Sequence, residues 1–150
     1  MLGAKLTLPV SSTIEADAIR SVLHAYGAAL GNGNVDELLA LYTSDGVIMP
    51  PHFPASAGQA ALRETYARIC QTIHLEIEFD IDEIVLTGED WAFARTTAEG
   101  TKTMLATKES EKHSNQELFI LRKEGNEGWK IARYAFSTMK PLVQNGIRRS

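Results

Sequence analysis

The chain has a single cysteine, Cys70, which rules out an internal disulfide and leaves no cysteine set for a zinc site. It has no excess of positive charge either. Its formal net charge is -4, whereas nucleic acid wants a basic stripe. The one basic pair, Arg148-Arg149, stands near the C-terminal end and reads as a solvated tail. No stretch approaches the roughly 20 apolar residues of a membrane-spanning helix. The segment from Met1 to Pro9 holds no apolar run of signal-peptide length. Internal repeats, linkers and low-complexity tracts are also missing. His24, His74 and His113 lack the spacing of a metal cluster with each other or with acids. Neither a metal nor an organic cofactor is expected. These absences predict a soluble, cytoplasmic protein that binds neither nucleic acid nor membrane.

What is present is a change of hydrophobic period part-way along the chain. Ser12-Thr13-Ile14-Glu15 has the pattern of a capping box, and Ile14, Ala18, Val22, Tyr26 and Ala29 recur at helical spacing. Gly31-Asn32-Gly33-Asn34 should stop that helix, with Asn34 capping a second whose stripe is Val35, Leu38, Leu39 and Tyr42. A short strand, Val47-Ile48-Met49, runs into Pro50-Pro51, which cannot continue a ladder. After a loop, Ser56-Ala57-Gly58-Gln59 is expected to cap a third helix carrying Leu62, Tyr66, Ile69, Cys70 and Ile73. From Leu75 the period becomes two. Leu75, Ile77, Phe79 and Ile81 alternate with acids, and the phase breaks at Asp82-Glu83, as at a bulge. Turns at 87–90 and 124–128 and a charged hairpin tip at 109–113 separate the remaining strands.

Two of those strands are apolar on both sides. Leu118 and Ile120 oppose Phe119 and Leu121; Ile131 and Ala135 oppose Ala132, Tyr134 and Phe136. An antiparallel sheet usually keeps one face in water, so this one needs two covers. The helices supply one, and a second copy of the chain is the economical source of the other. A homodimer through Leu118, Ile120, Ile131, Arg133 and Ala135 is therefore expected.

With 150 residues, 44% of them hydrophobic, the chain fits one domain with a real core. That domain should span 1–150, with its core over 12–140 and flexible ends at 1–11 and 141–150. The element order resembles the nuclear transport factor 2-like superfamily, which includes ketosteroid isomerase and the SnoaL-like cyclases. The residues that carry the resemblance are 33–42, Gly58 and 128–136; with 117–121 they look most like the SgcJ/EcaC-type branch. It implies an α+β, cone-shaped fold: three N-terminal helices packed on a strongly curved mixed or antiparallel sheet that encloses a pocket.

The same resemblance places the isomerase's hydrogen-bonding tyrosine on Tyr26, its base on Pro50 and its protonated acid on Phe119. Proline and phenylalanine move no protons, so steroid isomerisation by that mechanism is not expected. The candidate catalytic residues are Tyr26 as donor and His52 or Glu117 as proton shuttle. The expected ligand-binding residues are Tyr26, Met49, Tyr66, Asn115, Phe119, Tyr134 and Phe136. Cys70 reads as a core thiol, and Ala92, Ala94 and Thr96 as small residues that would leave room for a ligand. Two functions stay open: a small, mostly apolar ligand bound with cofactor-free isomerase-, cyclase- or dehydratase-type chemistry, or a non-catalytic dimerisation and assembly module. A cavity with converging polar groups favours the first, and a cone filled by Trp91, Phe119, Tyr134 and Phe136 the second.

Overall fold

The computed structural model describes residues 10–139, with side chains from residue 12 onward. Helix α1 (Val10–Asn32) stops where Gly33 takes a φ of 67°, a conformation that costs a glycine little. Asn34 caps helix α2 (Val35–Ala40), its Oδ1 accepting the Glu37 N–H at 3.1 Å. Strand β1 (Tyr42–Met49), a two-residue strand β2 (Ser56–Ala57) and helix α3 (Gln59–Thr72) follow. The rest is an antiparallel meander of β3 (Ile73–Leu86), β4 (Trp91–Met104), β5 (Ser110–Lys123) and β6 (Trp129–Thr138). Because β1 lies parallel to β6, the sheet is mixed, in the order β2-β1-β6-β5-β4-β3.

Bulges bend this sheet around the helices. The β3–β4 register slips between Ile81 and Glu83, where the sequence breaks phase, and the β5–β6 register slips between Ile120 and Leu121. The inner face then holds the core: Ile19, Leu23 and Tyr26 of α1 against Ala92, Ala94, Phe119, Leu121, Ile131 and Tyr134. Gly27 lets α1 settle closely on β3, since a Cβ there would come 2.7 Å from the Phe79 ring. The architecture is the α+β cone with three helices.

Several local features differ from expectation. Helix α1 already includes Val10, so Ser12 lies inside it and cannot cap it. Glu15 instead accepts from Trp129 Nε1 at 2.7 Å and pairs with Lys123, which ties α1 to the β5–β6 turn. The Lys123 bond, then the Trp129 bond, hold its carboxyl below the usual range. Ile14 is 60% exposed, and the buried stripe runs one position over through Ile19 and Leu23. Tyr42 opens β1 rather than closing α2. Gly58, not Ser56, precedes α3, while Ser56 bonds Thr65 through their hydroxyls at 2.6 Å. Residues 110–113 belong to β5, so the hairpin tip falls earlier.

The correction with most consequence concerns Ile131. Ile120 faces Arg133 while the next residue, Leu121, faces Ile131, leaving Ala132 as an extra residue. That bulge reverses the alternation, and Ile131 is fully buried in the core instead of lying on the outer face. The expected flexible ends fall on residues outside those described, apart from residues 10 and 11, which lie in α1.

Candidate functional site

Helices α1 and α3 and the inner face of β5 and β6 enclose a cavity of about 440 Å³. Its wall is mostly apolar, from Leu30, Ile48, Ile69, Ile73, Leu75, Ile77 and Phe136. Polar groups converge on it from both sides. Tyr26 comes from α1, Tyr66 and Thr65 from α3, and Asn115, Glu117 and Tyr134 from the sheet. The β5 residues arrive together because a strand sends every second side chain to the same face.

Glu117 is the chemically distinctive group. Only 3% exposed, it accepts a hydrogen bond from Thr96 Oγ1 at 2.5 Å and from the Tyr134 hydroxyl at 3.2 Å. Burial pushes its carboxyl up to about 7, because a charge in an apolar wall loses hydration. Hydrogen bonds from Thr96, Tyr134 and Asn115 pull the other way and keep it titratable near neutrality.

A second network joins three tyrosines. The Tyr66 hydroxyl lies 2.6 Å from that of Tyr26 and 2.7 Å from that of Tyr42. Three hydroxyls carry three protons and these two bonds use two, so one O–H remains available. Tyr26 and Tyr66 both border the cavity and Tyr42 does not, so a bound molecule can meet that donor at either of the first two. Burial raises the phenols of Tyr26, Tyr42, Tyr66 and Tyr134, so each stays protonated.

Of the residues singled out in the sequence, the fold brings Tyr26, Tyr66, Asn115, Glu117, Tyr134 and Phe136 to the cavity. Three others stand elsewhere. His52 is exposed, with a φ of 73°, in the turn after Pro51, and it does not line the cavity. Met49 is 45% exposed. Phe119 is fully buried behind the wall, its ring stacked on Tyr134 at 4.2 Å. Trp91, expected to fill the cone in the second reading, lies 43% exposed with the Arg122 guanidinium over its ring. Cys70 is partly buried, and burial pushes its thiol up.

The roles of two residues of the site escape a reading of the sequence. Thr96 faces Glu117 directly across β4 and β5, a pairing visible only once the register is known. Tyr42 joins the hydroxyl chain because a strand, not a helix, carries it. Among the described residues no group of three or more His, Cys, Asp or Glu is placed to hold a metal ion. No helix there is long and apolar enough to cross a membrane.

Comparison with known proteins decides the family, because the SnoaL-like domain profile matches residues 23–134. The chain belongs to the SnoaL-like domain family. Among solved structures, this SnoaL-like chain is 38% identical to a ketosteroid isomerase-like protein from Erwinia carotovora atroseptica, over 85% of this chain and 98% of that one (TM-score 0.81). A nuclear transport factor 2-like superfamily protein from Salmonella enterica serovar Typhimurium shares 17% identity over 92% of this chain and 100% of that one (TM-score 0.75). A protein from Novosphingobium aromaticivorans, named provisionally as a scytalone dehydratase, shares 20% over 86% and 87% (TM-score 0.74). The last two likenesses establish the fold alone. No curated protein matches. The matches reach the SnoaL-like family and, in fold, the nuclear transport factor 2-like cone, and they do not extend to the SgcJ/EcaC-type branch.

Proposed function

We propose that this SnoaL-like domain binds a small, mostly apolar molecule in its cone and moves a proton on it through Glu117, without an organic cofactor. One observation carries the reading: a carboxyl poised near pH 7 in the wall of a 440 Å³ apolar cavity. A group that is half-protonated at working pH can accept a proton from carbon or oxygen and return it elsewhere. Tyr26 would donate to the oxygen on which charge develops, which lowers the barrier of an isomerase-, cyclase- or dehydratase-type step. His52 has no part in this, since its ring lies outside the cavity. With Pro50 and Phe119 where a ketosteroid isomerase keeps its base and acid, the carboxylate would act from a different point of the wall. A cytoplasmic location is part of the same reading.

The test is a thermal-shift screen of small aromatic and polyketide-like compounds on wild type, Tyr26→Phe and Glu117→Gln. Hits should stabilise wild type most and shift it in a pH-dependent manner around 7. If every hit stabilises all three proteins equally at all pH values, the acid–base reading falls.

The outer face supports a second role, as a dimer interface. Leu118 is 44% exposed there beside Ile120, Phe93 and Ala135, with Arg133 at its margin. We propose that a second copy covers this patch. Sedimentation should then show a dimer for wild type and a smaller species for Ile120→Glu; a monomeric wild type at micromolar concentration removes this role.

A further inference from the structure

The cavity wall contains one polar atom whose hydrogen bonding is incomplete. Asn115 lies on β5, two residues before Glu117 and on the same face, and is 5% exposed. Its amide supports the Glu117 carboxylate as a donor. Among the described residues Oδ1 has no hydrogen-bond partner, although it is buried. A buried carbonyl oxygen without a donor costs about 1–3 kcal/mol, and native proteins rarely leave one unmet. Asn115 also lines the cavity, so a small turn of its amide brings Oδ1 to a donor held there.

We propose that the pocket selects molecules carrying a hydroxyl, which donates to Asn115 Oδ1 beside the Glu117 carboxyl while an apolar ring system fills the rest of the cone. This rests on the reading of the cone as a ligand pocket and adds to it the chemical class of the ligand. The remainder of the wall agrees with that class. Ile69 of α3 and Ile73, Leu75 and Ile77 of β3 offer area for a ring or chain, with Thr65, Arg68 and Thr72 also bordering the cavity. An ether or ester of the same shape would bring only acceptors to Oδ1, and two lone pairs facing each other in a dry site repel. Selection between hydroxyl and ether therefore falls on one atom, and hydroxyl-bearing ligands place a removable proton next to the carboxyl.

The experiment compares naphthol with its methyl ether by titration calorimetry, at a pH where both probes are uncharged. Wild type should bind naphthol about tenfold more tightly than the ether, the discrimination that one satisfied buried acceptor supplies. In Asn115→Leu the two affinities should come within about threefold, through loss of naphthol binding and not of the ether's. Asn115→Ala serves the same purpose if the leucine variant does not fold. Equal affinities in wild type overturn the inference while leaving the pocket reading intact; they would mean that water meets Oδ1. A preference that survives both substitutions assigns it to another group and overturns the inference as well. Failure of both probes to bind wild type counts against the inference and the pocket reading together.

Discussion

On the inner side of β5, Asn115, Glu117 and Phe119 are 5%, 3% and 0% exposed, while Leu118, between two of them, is 44% exposed on the outer side. Both faces carry apolar side chains, yet their polar groups live under different rules. Outside, pairs lie flat along the sheet in contact with water. Arg95 meets Glu83 at 3.0 Å, Thr97 meets Asp82 at 2.8 Å, and Gln116 meets Ser137 at 3.1 Å. Inside, Glu117 bonds Thr96 and Tyr134, Tyr66 bonds Tyr26 and Tyr42, and among the described residues the Asn115 oxygen has no partner. The outer face offers area, whereas the inner face offers groups whose charge and protonation matter because water is excluded. Substitutions on the two sides should differ accordingly.

The sharpest contrast is between adjacent residues. Phe119→Ala empties a fully buried site against the Tyr134 ring and should cost about 3–5 kcal/mol in urea unfolding. Leu118→Ala, one residue away, should cost less than about 1 kcal/mol in protein dilute enough to be unassociated. Similar losses for both would erase the distinction between the faces.

Glu117 should make stability depend on pH in an unusual direction. Its folded-state pKa, about 7, lies above the unfolded value of 4.5, so the folded form holds the proton more firmly. Its contribution is complete below the unfolded value and is lost as pH rises through the folded one. Wild type should thus lose on the order of 3 kcal/mol between those limits, and Glu117→Gln should be free of that loss. Denaturation curves across this window for the two proteins, if parallel, would show that the carboxyl titrates normally.

Tyr66→Phe removes the hydroxyl that both Tyr26 and Tyr42 bond and should cost about 1–3 kcal/mol. The smallest effect belongs outside again. Arg95→Ala breaks an exposed pair with Glu83 and should change stability by about 0–1 kcal/mol, less at high salt. A larger loss for the arginine than for the tyrosine would invert the comparison.

Much of this arrangement is legible from residue order. Alternation in 75–81 and 115–121 places the inner face correctly, because a strand's period of two is independent of its neighbours. The cap at Asn34 and the bulge near Asp82 are legible too, since each is written in a few adjacent residues. The reversal at Ala132 is not. It depends on how β5 and β6 align, and nothing within 129–136 marks the extra residue. The same reason hides Thr96 as the partner of Glu117, and proximity in sequence to Pro50 gives His52 a place at the site that the fold denies it.

The parallel pairing of β1 with β6 has a consequence for how the protein is made. Tyr42 meets Ile131 and Met49 meets Ala135, so the first strand waits for the last strand before its inner edge is paired. Closing so long a loop is entropically expensive, whereas each hairpin of the meander closes locally. On a ribosome the hairpins β3–β4 and β4–β5 can form in turn, with β1 an open edge until β6 emerges. A nascent chain halted in the β5–β6 turn would lack Tyr134 and Phe136, and its half-built cone would present an apolar hollow to chaperones.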